Sequence, residues 1–213
     1  MSRTEYPTRT EQWCTFGPLR VGFDDSVLRP RTWTLAQSGR AAALLRTSAP
    51  GPILELHCGA GHIGQAAAAW SGRAVVQIDD RPAACTWARR NATANGVDAE
   101  VRQRAVEELD EAGTFALVLA DPPYVPSAET VRFGDDPAHA IDGGPDGLDG
   151  IRACLPPAAR AVRPGGAVVL QVRGPAQADA VRRCLGVLEP GLVATSTLVF
   201  APDRALLALT RSA

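Results

Sequence analysis

The sequence predicts an α/β fold: a mainly parallel sheet with helices on both faces. Three observations carry this. From residue 52 onward, short apolar runs alternate with stretches of helical length, and glycines and prolines punctuate the junctions between them. The last two apolar runs are joined too tightly for a crossover helix, so that pair must be antiparallel. At 213 residues, the chain has the length of one such domain.

Taken in order, residues 1 to about 30 are weakly periodic, and 21–28 (VGFDDSVL) suits a short strand or hairpin arm. A helix is expected from Thr34 to Arg46, crossing Gly39 and broken by residues 48–52. Residues 52–56 form a buried strand, 62–70 a helix and 74–79 a second strand. Pro82 falls in the first turn of the next helix, which stops at Asn95-Gly96. Strands follow at 100–104 and 115–120, then a long loop over 125–146. The helix at 148–162 contains Pro156-Pro157, which either split it or mark its start, and Pro164-Gly165-Gly166 close it. A strand at 167–172, a helix at 175–188 and a hairpin of 192–200 with 205–210 complete seven strands. Residues 1–33 read as an N-terminal extension or lid, and 34–213 as the domain proper.

Composition narrows the partners. Hydrophobic residues make up 46%, charged residues 21%, and the net charge is −1, which favours no polyanion. Lysine is absent, so all 22 basic residues are arginines, and they are spaced along helices and loops rather than clustered. Cysteines at 14, 58, 85, 154 and 184 form no CxxC and suit free thiols in a reducing compartment. Cys58 has no partnered base to make it a nucleophile. The three histidines, His57, His62 and His139, come from distant loops and do not compose a metal site. The start lacks a signal-peptide core and no apolar run reaches eighteen residues, so a cytoplasmic location without a membrane partner is expected.

Two segments carry chemistry. Residues 55–64 (ELHCGAGHIG) lie between the first sheet strand and its helix. Gly59, Gly61 and Gly64 permit a tight turn and a close approach to a ligand. Asp79 ends the next strand, where a carboxylate can accept both hydroxyls of a ribose. Together they indicate an adenosine cofactor. Glu55 is a poor neighbour for a pyrophosphate and a good one for a cationic sulfonium, which favours S-adenosyl-L-methionine over a dinucleotide. The second segment is Asp121-Pro122-Pro123-Tyr124, directly after the 115–120 strand. Its prolines fix two φ angles and remove two N–H donors, making a rigid ledge where open α/β sheets bind ligands. The Asp121 carboxylate and the Pro122 carbonyl can hold the N–H groups of a nitrogen nucleophile, and Tyr124 can stack on a planar target.

The pattern E-L-x-C-G-x-G-x-x-G, with Asp79, ARRNATANG (88–96) and DPPY, resembles class I S-adenosylmethionine-dependent methyltransferases, which have a Rossmann-like fold. The resemblance implies that residues 55–61 line the methionine end and that Asp79 holds the ribose with Asp80 as its neighbour. The cofactor set is then Thr34, Glu55, His57, Gly59, Gly61, His62, Ile63, Asp79, Asp80 and Asp121; the catalytic set is Asp121, Pro122 and Tyr124. His57 replaces a common glycine. The acid often found near the adenine amine is missing: Val106 occupies its place, with Glu107 as a substitute.

DPPYVP followed by Gly143-Gly144-Pro145-Asp146-Gly147-Leu148 is similar to the HemK/PrmC group, which methylates the side-chain amide of glutamine in release factors. Residues 29–34 (RPRTWT) resemble the group's PR-x-x-T stretch, which approaches the cofactor and brings in Thr34. Trp33 in that stretch would cover the cofactor or cap the core, and Trp87 would pack on the sheet. Two departures matter. Asp121 stands where the group has Asn, and a carboxylate can only accept; facing a glutamine carbonyl it would cost about 1–3 kcal/mol. An exocyclic base amine would suit it better. Only about thirty residues precede the core, where the group has a helical substrate domain. The expected acceptor is therefore a protein or a small molecule, with RNA or DNA open but not favoured, and the chain a monomer or homodimer. A non-catalytic cofactor-binding partner domain is the alternative of another class. Asp142, Asp146 and Asp149 anchor the 125–146 loop or meet a cation.

Overall fold

A computed structural model describes residues 10–189 and 191–212. Residues 1–9 of the expected extension lie outside them. The chain opens with an antiparallel hairpin, β1 (Gln12–Phe16) and β2 (Leu19–Phe23). A 3-10 turn at Thr32–Thr34 leads into α1 (Leu35–Leu45). Then come β3 (Ile53–Leu56), α2 (His62–Ser71), β4 (Val75–Asp79), α3 (Pro82–Asn95), β5 (Ala99–Gln103) and β6 (Phe115–Ala120). After a long connection containing α4 (Ala138–Ile141), the chain ends with α5 (Asp149–Ala161), β7 (Val162–Val172), α6 (Gly174–Leu188), β8 (Leu192–Ala201) and β9 (Arg204–Arg211). The main sheet has seven strands in the order β5-β4-β3-β6-β7-β9-β8. Its first five are parallel, and β9 and β8 run antiparallel at one end, as the tight terminal connection requires.

Strand β3 is buried throughout and pairs with β4 on one side and β6 on the other. The chain winds from β3 to β4 and β5 in one direction and returns to place β6 and β7 in the other. The crevice above β3 and β6 is thus the switch point of the topology, where open parallel sheets bind ligands.

Several elements differ from expectation. Helix α5 runs through Pro156 and Pro157 unbroken, forfeiting two helical N–H bonds. The face carrying Leu155, Pro157 and Ala158 is buried on the sheet, and that packing outweighs the local penalty. Pro164-Gly165-Gly166 do not close this helix. They form an irregularity inside β7, where the register with β6 shifts between Phe115↔Val162 and Leu117↔Ala167. The 125–146 loop carries a 3-10 segment, Ser127–Phe133, as well as α4.

The N-terminal hairpin is built into the domain. Phe16, Leu19, Val21 and Phe23 are buried in the same cluster as α2 and β3. The 88–96 motif shows why. Asn91 and Asn95 lie one turn apart on α3, and Gly22 and Arg20 lie two apart on β2. The Asn91 amide accepts from the Gly22 N–H at 2.8 Å and donates to the Gly22 carbonyl at 2.9 Å. Asn95 repeats this with Arg20, at 2.9 Å each way. Asn91 also donates to the carbonyl of Ala60 at 2.9 Å, tying the hairpin to the glycine loop. Trp87 faces this hairpin, with its ring edge-on to Trp13 at 6.5 Å, rather than resting on the main sheet alone.

Gln37 of α1 fixes the other side of the crevice. It is wholly buried, and its amide nitrogen donates to the carbonyls of Ala120 and Val169 at 3.0 Å each. Ala120 is the last residue before Asp121, so this amide holds the root of the ledge. Replacing Gln37 by Ala removes both of these buried hydrogen bonds. It is expected to lower unfolding free energy by about 1–3 kcal/mol, seen as a reduced urea midpoint at unchanged slope.

Candidate active site

Three strand ends build the site. After β3 the chain turns through residues 57–61 into α2. His57 adopts φ 56°, the one positive φ outside glycine among the described residues, and Gly59 and Gly61 follow at 51° and 80°. The Gly59 N–H donates to Asp79 Oδ2 at 2.9 Å, which joins the loop to the end of β4. Asp79 Oδ1 accepts from the Arg81 N–H at 3.0 Å. Each Asp79 oxygen keeps one lone pair for a ligand hydroxyl. Burial pushes this carboxyl above its ordinary range, opposed by the two N–H donors.

Glu55 lies beneath the loop. Its carboxyl accepts from the Gly64 N–H at 3.0 Å and from the Gln77 amide, which also donates to the Gly61 carbonyl at 2.8 Å. Gln65 continues the network to Gln77 Oε1 at 2.9 Å and the Ala88 carbonyl at 2.8 Å. A Cβ at Gly64 would overlap the Glu55 carboxylate, so the third glycine of the motif exists for this contact. Burial pushes Glu55 up to about 8, against the pull of its two donors.

Two clefts open at the carboxyl edge of the sheet. His57, Gly59, His62, Ile63, Asp79 and Asp80 line the first, with Val106 and Glu107 at its far end. Pro122, Tyr124, Trp33 and Phe133 line the second, with Arg31, Arg173 and Arg204 around it. Asp121 lines both, as do Leu28 and Ala140. His62 is pushed down to about 4 by burial and packs edge-on against Phe16 at 4.7 Å. His57 is also pushed down by burial. Both imidazoles are thereby kept neutral. Burial holds the Tyr124 hydroxyl far above its usual range, so it stays a phenol.

Three residues of the expected cofactor set are not among those lining the first cleft. Glu55 lines neither cleft: β3 is buried on both faces, and its side chain goes under the loop toward Gly64. Gly61 faces Gln65 and Gln77 below, not the cleft. Thr34 lies across Asp121, in the second cleft, and its hydroxyl donates to the Arg31 carbonyl at 2.8 Å. Trp33 lines that same cleft with the Arg204 guanidinium 5.2 Å above its ring.

The glycine-rich segment after the ledge is its backing. A Cβ at Gly147 would lie 2.6 Å from the Tyr124 carbonyl, and one at Gly150 2.7 Å from the Pro123 carbonyl. The Gln177 amide donates to the carbonyls of Tyr124 and Gly147, at 3.0 and 2.9 Å. Asp142 accepts from Ser127 and the Gly144 N–H, and Asp146 and Asp149 pair with Arg152. All three acids are engaged, Asp142 inside the loop and Asp146 and Asp149 by Arg152 of α5. Above the clefts, segment 24–34 meets segment 127–142 through Arg31 and Asp136, whose carboxylate oxygens accept from one guanidinium nitrogen. Gln37, Gln65, Gln77 and Gln177 escaped the sequence reading, because an isolated amide in a sequence gives no sign of the backbone group it will meet.

The model of the methyltransferase small domain family matches residues 41–133. The release factor glutamine methyltransferase of Mycolicibacterium smegmatis is 38% identical over 161 residues, 71% of this chain and 56% of that protein. That of Gloeobacter violaceus is 33% identical over 176 residues, 79% of this chain and 60% of that protein. The chain is homologous to the HemK/PrmC-type release factor glutamine methyltransferases. It spans between half and two-thirds of the length of these two relatives. The structure of P. horikoshii TYW2 in complex with MeSAdo superposes with a TM-score of 0.63 at 15% identity, covering 96% of this chain and 72% of that one. That likeness concerns the fold alone: this chain has the Rossmann-like class I methyltransferase architecture. No helix among the described residues is long and apolar enough to cross a membrane.

The raised carboxyls give stability a defined pH dependence. Glu55 goes from 4.5 to about 8 on folding, so between those values the folded state holds more protons than the unfolded one. Its contribution therefore falls as pH rises through that window, and Asp121 and Asp79 act with the same sign. Thermal melts of Glu55→Gln across pH 4.5 to about 8 should show a shallower fall than the parent. An identical slope would mean that Glu55 is ionised in the folded protein.

Proposed function

We propose that this protein is an S-adenosyl-L-methionine-dependent N-methyltransferase acting on an amide or amine nitrogen, with a protein glutamine as its acceptor. The observation that carries the reading is that Asp121 lines both clefts at once. A group bound in one cleft and a group bound in the other meet at this residue.

The first cleft fits the cofactor. Asp79 has an open lone pair on each oxygen for ribose hydroxyls, and Gly59, already bonded to it, has open space where a side chain would stand. Neutral His57 and His62 add no positive charge beside a sulfonium. Val106 and Glu107 take the adenine end, with Glu107 the candidate acceptor for the base amine. When bound, the cofactor supplies an electrophilic methyl on a sulfonium. The protein's own part is to orient the acceptor nitrogen: the Pro122 carbonyl and Asp121 hold its N–H groups, and the Trp33, Tyr124 and Phe133 rings receive a flat group. Five free cysteines among the described residues suit a reducing, cytoplasmic setting.

A second acceptor, an exocyclic base amine, draws support from the same three rings and from a carboxylate that accepts only.

Calorimetry with S-adenosylhomocysteine tests the first half: binding is expected, and none at about 100 μM would overturn it. Asp79→Ala should weaken that binding about tenfold or more. Asp121→Ala should leave it within a few-fold while lowering methyl transfer to a release factor by more than about tenfold.

A further inference from the structure

The Asp121 carboxyl is the one acid that lines both clefts. Among the described residues nothing donates a hydrogen bond to it, and no cation holds it. Every arginine around it is turned to another acid. On the β3 side, Glu55 is bound by Gly64 and Gln77, and the loop beyond it offers only the neutral imidazoles His57 and His62. On the β4 side, Asp79 takes its two backbone donors, and Arg81 lies 3.8 Å from Asp80. Glu107, after β5, and His139 of α4, pushed down by burial, close the far wall of the first cleft. In the second cleft Arg31 pairs with Asp136, Arg173 with Glu129 at 2.7 Å, and Arg204 lies over Trp33 and 3.8 Å from Asp203. Tyr124 is an un-ionised phenol. The carboxyl therefore stands between two clefts with no counter-charge from the protein and with free hydrogen-bonding edges on both oxygens. Burial alone pushes it up to about 7.

We propose that Asp121 works as a neutral carboxylic acid that selects a carboxamide, its O–H donating to the acceptor's carbonyl oxygen while its own carbonyl oxygen accepts one acceptor N–H. This rests on the N-methyltransferase reading above and gives the means by which the site would take a primary amide in preference to an amine. A planar acid and a planar primary amide match in a cyclic pair of hydrogen bonds, the same donor–acceptor pattern an asparagine presents. An amine has no carbonyl to receive the O–H, and an ionised Asp121 would set its lone pairs against the amide carbonyl. In the transfer the amide nitrogen forms the new N–C bond as the C–S bond breaks, with that electron pair staying on sulfur. One proton leaves the nitrogen for water, and Asp121 ends in the form in which it began.

The test is a carbon-13 titration of the aspartate carboxyls in the complex with sinefungin, whose amine carries the positive charge of the cofactor. Asp121→Asn assigns the signal. Its midpoint is expected well above the ordinary carboxylate range, rising further with the probe Gly-Gln-Gly and not with Gly-Lys-Gly. A midpoint near the ordinary aspartate value of about 4, or one that Gly-Gln-Gly leaves unchanged or lowers, overturns the proposal. Absence of sinefungin binding would instead count against the cofactor reading. With a release factor as acceptor, kcat/KM should fall about tenfold per pH unit above about 7, and Asp121→Asn should flatten that profile whatever its absolute rate. A rate that rises with pH in the parent contradicts a neutral Asp121.

Discussion

The site depends on one constraint: β3 and β6 are neighbours in a parallel sheet, and the chains leaving them diverge to opposite sides. Neither departing segment can fill the crevice between them, so the backbone of the glycine loop and the ledge of Asp121 face each other across open space. Everything else keeps those two rims in place. The loop rests on the buried network of Glu55, Gln77 and Gln65, and Gln37 holds the last carbonyl of β6. These are interior polar groups that pair with one another and with backbone atoms of the loop, helices and strands around the crevice.

Sterics do the complementary work. The glycines after the ledge are there because the Pro123 and Tyr124 carbonyls run within contact distance of where their side chains would be. The two prolines need no N–H partners, which suits a strand end whose neighbours are engaged elsewhere. A stiff ledge backed by close-packed glycines leaves few degrees of freedom at Asp121. Over it, segments 24–34 and 127–142 contribute walls to both clefts and touch through Arg31 and Asp136.

Much of this could be read from the residues. Alternating apolar runs gave the seven strands in order, and the spacing of Gly59, Asp79 and Asp121 located the three strand ends. The antiparallel finish followed from a turn too short for a helix. What stayed hidden has physical causes. Helix α5 contradicts its own prolines because burial of one face is worth more than local propensity. Strand β1 is largely solvent-facing, so it lacks a clean apolar alternation. The division into two clefts, and with it the places of Thr34 and Glu55, depends on which side of a strand end a residue falls. Spacing along the chain does not specify that side. The Asp121 carboxyl is the instructive case: its identity was plain in the sequence, but its lack of any counter-charge appears only once the arginines of the second cleft are seen paired with other acids.

The account stands or falls on Asp121 lying between cofactor and acceptor. The most direct measurement is a crystal structure with S-adenosylhomocysteine. The ribose hydroxyls should rest on Asp79, the adenine beside Val106 and Glu107, and the sulfur should face Asp121 with the second cleft open beyond it. A nucleoside seated among Trp33, Tyr124 and Arg204, or a sulfur turned away from Asp121, would contradict it.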